Sequence, residues 1–118
     1  MKLLNTYEYK IKKSKFISYL YEIDEKEEVK EIWNNLKKEH KKSRHIPYAY
    51  ILNNIAGKSD DKEPSGTSAA PIYNILERNS LTNKVIFIVR YFGGTKLGAG
   101  GLVRAYSTCA SKVIIPRQ

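Results

Sequence analysis

Three observations predict an α+β domain with helices laid on a sheet. Val85-Ile86-Phe87-Ile88-Val89 is an unbroken apolar run of strand length, as expected of a strand covered on both faces. A glycine-rich turn and then a run of apolar residues at helical spacing follow it directly. Upstream, segments of period two alternate with segments of helical period. The predicted order is β-β-α-β-α-β-α, read as a mixed four-stranded sheet with the helices on one face.

Each element has its own signal. Tyr7, Tyr9 and Ile11 alternate with polar residues, and Ile17, Tyr19, Tyr21 and Ile23 alternate strictly. Two strands, each with one buried face, are thus joined by a turn at Lys12-Lys13-Ser14-Lys15. Asp24 is placed as a helix N-cap, with Glu25, Glu27 and Glu28 favourable in the first turn. Val29, Ile32, Trp33, Leu36 and His40 then share one stripe, predicting a helix over about 25–41 with Trp33 in the core. Ile46 to Leu52 reads as the third strand, and Pro47 puts its beginning at an edge or a bulge. Residues 53–64 have loop composition throughout. Ser65-Gly66-Thr67-Ser68 offers several caps to a second helix whose apolar face is Ile72, Ile75 and Leu76. Residues 79–84 turn the chain into the buried strand, and Leu102, Ala105, Tyr106, Cys109, Val113 and Ile114 mark the last helix.

The 118 residues read as a single domain, 1–118, large enough to bury about two-thirds of its unfolded surface. The longest apolar runs fall well short of the roughly 18 residues that cross a bilayer, so no membrane contact is expected. Residues 1–5 lack a signal-like apolar stretch, and the single Cys109 cannot form an internal disulfide. The predicted compartment is the cytoplasm. The formal net charge is +9, and it is unevenly spread. After Glu77 there is no acid, while Arg78, Lys84, Arg90, Lys96, Arg104, Lys112 and Arg117 give +7; residues 37–45 add five cations against one acid. Two readings follow: contact with a polyanion, or a lysine-rich composition that forms a solvated face.

Five of the seven glycines lie between 93 and 101. Glycine there lets an anion approach the backbone, and the unpaired N–H groups of the following helix carry the positive end of its dipole. Lys96 and Arg104 add full charges. The stretch is neither a P-loop, having no Gly-Lys-Ser/Thr, nor a dinucleotide fingerprint, since Val103 stands where the third glycine is needed. Gly93, Gly94, Gly98 and Gly100 therefore read either as an anion seat or as room for the helix to pack on the sheet.

A second constellation, Asp60-Asp61-Lys62-Glu63-Pro64-Ser65-Gly66-Thr67, has three carboxylates within four residues. They can pair internally with Arg90, Arg104 or the glycine-loop amides, shape an anion site, or bind a catalytic metal. The Ser65-Gly66-Thr67-Ser68 helix start is itself an anion-site candidate and resembles the helix start of kinases of the galactokinase–homoserine kinase type. No triad or zinc spacing accompanies His40, His45 and Cys109, and neither a metal nor a cofactor is expected.

Two segments taken together strongly resemble the signature of the IMPACT (YigZ-like) family. They are Ser59 to Thr67 and Val89 to Tyr106, with Lys15-Phe16-Ile17 and His45-x-x-x-Ala49-Tyr50 adding to the pattern. The resemblance spans about Tyr7 to Val113. It implies a fold like ribosomal protein S5 domain 2 and domain IV of elongation factor G, with a left-handed β-α-β crossover. It also implies a translational setting: the eukaryotic relative regulates translation through protein partners, and bacterial relatives usually add a ferredoxin-like C-terminal domain. Two departures stand out. Lys62 replaces the glycine of the usual Asp-Asp-Gly-Glu-Pro, and Ser68-Ala69-Ala70-Pro71 replaces Ala-Gly-x-Pro.

The expected function is a non-enzymatic module that contacts RNA or the ribosome in translational regulation. Its phosphate contacts would be Arg90, Lys96, Arg104 and the amides of Gly93, Gly94, Gly98 and Gly100, extended by Arg78, Lys84 and the Lys41, Lys42 and Arg44 block. Tyr91 and Tyr106 are candidates for base stacking or for burial against the sheet. Asp60, Asp61, Glu63, Ser65, Gly66 and Thr67 form the family-signature loop. One alternative is a protein-interaction regulator with no direct RNA contact. Another is an enzyme acting on a phosphorylated or peptide substrate through Asp60, Asp61 and Glu63.

Overall fold

The apolar run 85–89 becomes the central strand of the sheet. The computed structural model describes residues 1–114. In chain order it contains β1 (Lys2–Ile11), β2 (Ser14–Glu22), α1 (Glu27–Glu39), β3 (Tyr48–Ile51), β4 (Ala56–Ser59), α2 (Ala69–Arg78), β5 (Lys84–Tyr91) and α3 (Gly98–Val113). The strand order is β1-β2-β5-β3-β4, and every neighbouring pair is antiparallel. Of the cations counted above, Arg117 lies outside the described residues.

Three expectations are corrected. The sheet has five strands, not four, because Ala56–Ser59 pairs with β3 inside the stretch read as loop. Its sequence, Ala-Gly-Lys-Ser, has no apolar alternation, since this edge strand is held by its main-chain ladder and not by burial. The Tyr50 ring lies over Gly57, where a Cβ would meet it at 2.5 Å and push the ring end aside. The sheet is antiparallel and not mixed, although β2 and β3 run parallel to each other on either side of β5.

The third correction concerns the layers: the helices cover both faces. Val85, Phe87 and Val89 of β5 pack with Val29, Ile32 and Leu36 of α1 on one side. Ile86 and Ile88 pack with α2 and α3 on the other, beside Ile72, Leu76, Leu102, Tyr106 and Cys109. Period-two alternation along one strand thus feeds two cores. The same arrangement explains β2, where Ile17, Tyr19 and Tyr21 are only half-buried under α1. The fully buried set is Ser14, Phe16, Ser18 and Leu20 on the α3 side. A buried serine is tolerated because Ser18 Oγ donates to the Cys109 carbonyl at 3.0 Å.

Local chemistry closes the remaining turns. Lys12 and Lys13 alone make the hairpin turn, both at positive φ (47° and 68°). Asp24 is not the cap of α1. Instead the Glu28 side chain turns back and accepts from the backbone N–H groups of Asp24 and Glu25 at 2.6 and 3.0 Å. Trp33 lies against the core, as expected, with Nε1 donating to the Ile46 carbonyl at 2.9 Å.

Candidate functional site

β5 delivers Arg90 to the α2/α3 side of the sheet, where the loop between β4 and α2 supplies Glu63 and α3 supplies Tyr106. Arg90 Nη1 donates to Glu63 Oε1 and Oε2 at 2.8 and 2.7 Å, and the Tyr106 hydroxyl donates to Glu63 Oε2. The side chains of Arg90 and Glu63 are 8% and 1% exposed. Phe16 backs the group, with its ring edge-to-face on Tyr106 at 5.2 Å between centroids and 5.9 Å from the Arg90 guanidinium carbon. Burial, followed by the neighbouring Glu63 charge, holds the Tyr106 hydroxyl well above its ordinary pKa, so it stays a donor. Arg90 Nε is buried without a hydrogen-bond partner among the described residues. An orphaned donor of this kind is unfavourable by about 1–3 kcal/mol unless something accepts from it.

The three carboxylates of the signature loop go to three different places. Asp60 Oδ1 accepts from Ser68 Oγ at 2.6 Å and the Ala69 N–H at 2.9 Å, and Oδ2 accepts from the Gly66 N–H at 3.2 Å. The start of α2, a candidate anion seat in the sequence, is therefore closed by the protein's own carboxylate. Asp61 Oδ2 takes Lys37 Nζ and the Ile46 N–H, each at 2.6 Å. Thr67 is buried, its hydroxyl donating to the Pro64 carbonyl at 2.6 Å, while Ser65 and Gly66 are exposed. Of the three roles weighed for these acids, the geometry displays internal pairing.

The start of α3 is different. Gly98, Ala99 and Gly100 are exposed, and no side chain caps the helix. Its first turn is not pressed on the sheet: a Cβ at Gly100 would meet only Arg104 Nη1, at an ordinary 3.5 Å. Gly98 and Gly94 have positive φ, +75° and +90°. Gly93 is required by close packing, since a Cβ there would lie 2.1 Å from the Lys13 carbonyl, and Gly101 is tight as well, a Cβ there lying 3.1 Å from Leu97 Cβ. The packing and anion-seat readings thus fall on different glycines.

A cavity of about 430 Å³ opens at this helix mouth. Arg44, His45, Glu63, Arg90 and Lys96 give it polar wall, and Phe92, Leu97 and Leu102 give it apolar wall. Phe92 is 37% exposed, with the Arg44 and Arg90 guanidinium carbons 5.1 and 5.8 Å from its ring centre. His45 is oriented by its Nδ1, 2.8 Å from the Asp61 carbonyl.

The structure brings Arg44, Arg90, Lys96 and Gly98 to one cavity, with Gly100 and Arg104 on the same exposed helix turn. Lys41 and Lys42 are exposed between α1 and Arg44. Arg78, Lys84 and Lys112 lie at the other ends of α2, β5 and α3, so the late cations do not share one face. Arg90 is buried against Glu63 and not displayed. Tyr106 is fully buried, and Tyr91 is half-buried with its hydroxyl 2.6 Å from His40 Nδ1. Phe92, His45 and Leu97 are the cavity residues that sequence reasoning passed over. Only the aromatic beside Arg90 and the histidine ending a basic block hinted at the first two. Cys109 is inert by environment, with burial pushing its thiol up to about 11.

Comparison with known proteins bears on the family and the fold. The Impact N-terminal domain matches residues 12–114. IMPACT family member YvyE of Bacillus subtilis is 39% identical over 105 residues, covering 86% of this chain and 48% of that protein. An IMPACT family member of Haemophilus influenzae is 40% identical over 105 residues, covering 85% of this chain and 51% of its own. The chain thus spans about half the length of the curated relatives it matches. Among solved structures, one described as a hypothetical protein superposes with a TM-score of 0.89 at 34% identity, covering 92% of this chain and 55% of that chain. The two-domain translational regulator Yih1 shares the fold at a TM-score of 0.55 and 16% identity, covering 92% of this chain and 43% of that chain. With most of its length matched and relatives near 40% identity over the same span, this chain belongs to the Impact N-terminal domain family.

Proposed function

We propose that this domain is an RNA-contacting module in the regulation of translation, and that it seats a phosphate at the mouth of α3. One observation carries the reading. An uncapped, exposed helix start converges with Lys96, Arg44 and the buried Arg90 on a single cavity. Amides at a helix start and flanking cations favour an anion. Lys41, Lys42 and Arg104 extend the positive surface around it. The fold shared with the translational regulator Yih1 supports the process. Cytoplasm is the compartment this role requires.

The test is a titration of a fluorescent RNA hairpin with the 118-residue chain at stepped salt. Binding that weakens steeply with salt, and is reduced by Lys96→Ala and Arg44→Ala, supports the reading. No binding at low salt overturns it. Recovery of a protein partner after nuclease treatment, with those same variants losing it, would instead assign the cations to an acidic protein surface.

A further inference from the structure

We propose that the cavity at the α3 mouth takes one unpaired nucleotide, with its phosphate on the helix amides, Lys96 and Arg44 and its base against Phe92 and the apolar wall. This rests on the RNA reading above and narrows it to single-stranded or looped RNA.

The argument comes from the two kinds of wall. Lys96, Arg44 and the exposed Gly98 and Ala99 suit a phosphate. Pro64, Phe92, Leu97 and Leu102 have nothing to offer a phosphate and suit a flat apolar body. A duplex presents its phosphates while keeping its bases stacked inside, and would leave that second wall unused. An unpaired nucleotide carries both chemistries on one short unit. The volume, about 430 Å³, is in the range of small-ligand cavities.

Phe92 is the stacking platform. Its ring is 37% exposed, although two guanidinium groups lie within 6 Å of its centre, at 5.1 and 5.8 Å. Ring faces and guanidinium planes are the surfaces on which unpaired bases stack, with little regard to sequence. Arg90 forms part of the cavity wall, with its side chain 8% exposed and its Nη1 held by Glu63, so it packs beside Phe92 as a fixed edge of the site. Glu63 neutralises that guanidinium, so the wall's net positive charge comes from Arg44 and Lys96 near the opening.

The experiment is fluorescence anisotropy with a short single-stranded RNA and the duplex of the same sequence, using the 118-residue chain. The single strand should bind at least about tenfold tighter at equal salt. Phe92→Ala should weaken the single strand roughly five- to hundredfold and leave the duplex unchanged. Phe92 is partly exposed, and unchanged thermal unfolding of the variant checks its fold. Adenosine 5′-monophosphate should displace the single strand at concentrations where inorganic phosphate does not. Equal affinity for strand and duplex, or displacement by poly-glutamate as effective as by nucleotide, overturns the proposal. If Phe92→Ala has no effect while Lys96→Ala weakens both RNAs, the nucleotide site falls and the broader RNA reading stands. If no RNA binds at low salt, both fall.

Discussion

Arg90 places a single nitrogen, Nη1, 2.8 and 2.7 Å from the two oxygens of Glu63, and this buried pair ties the loop before α2 to the end of the central strand. Taking two charges out of water is unfavourable, and their attraction repays it only if both partners stay. Glu63→Ala strands the guanidinium and should cost about 3–5 kcal/mol in urea unfolding. The double variant Glu63→Leu/Arg90→Met should recover much of that loss, because no charge is then left buried. A fully additive double variant would mean that the pair is not coupled.

Asp60 holds the start of α2. Burial opposes its ionisation, but hydrogen bonds from Ser68, Ala69 and Gly66 outweigh it and keep the carboxyl below its ordinary 3.8. A carboxyl lowered on folding contributes stability above its unfolded pKa and loses it as pH falls through the folded one. Asp60→Ala should therefore lower stability by about 1 kcal/mol at neutral pH. The gap from wild type should shrink as pH falls below 3.8. A gap that widens in acid would contradict the cap.

Asp61 and Lys62 are both at positive φ (44° and 71°), inside a turn closed by the Glu63 N–H donating to the Asp60 carbonyl at 3.0 Å. The left-handed region disfavours a lysine by roughly 1–2 kcal/mol and glycine hardly at all, less the greater entropy glycine has when unfolded. Lys62→Gly should raise stability by about 0.5–1 kcal/mol with an unchanged m-value. A loss would show that the lysine side chain makes a contribution of its own.

The glycines of the α3 loop should separate by role. Gly93→Ala meets the Lys13 backbone at 2.1 Å and should cost about 3 kcal/mol or more. Gly100→Ala sits on an exposed helix turn with only an ordinary contact, and should stabilise the helix by about 0.5–1 kcal/mol. If a phosphate approaches that turn, the same variant should also weaken RNA binding. Higher stability with unaltered affinity would remove Gly100 from the seat.

Salt dependence counts the phosphate contacts. Each cation that neutralises a phosphate should reduce the slope of log affinity against log salt by about 0.7–0.9 when it is removed. Lys96→Ala and Arg44→Ala should each do so, whereas Lys84→Ala, at the far end of β5, should leave the slope unaltered.

Much of this protein is written in its residue order. The unbroken run 85–89 specified a strand buried on both faces, and the stripes at 29–36 and 102–113 specified helices, because each period sets which side chains share a side. The family was legible in the two signature segments. Only the folded chain decided which strands pair, since β4 is held by main-chain ladders that leave no mark on composition. It also decided which acid meets which cation. Asp60, Asp61 and Glu63 lie side by side in sequence, yet they reach the α2 amides, Lys37 and Arg90 respectively. Charge by itself carries no direction. The three-dimensional path closes the helix start at Ser68 and leaves the one at Gly98 open.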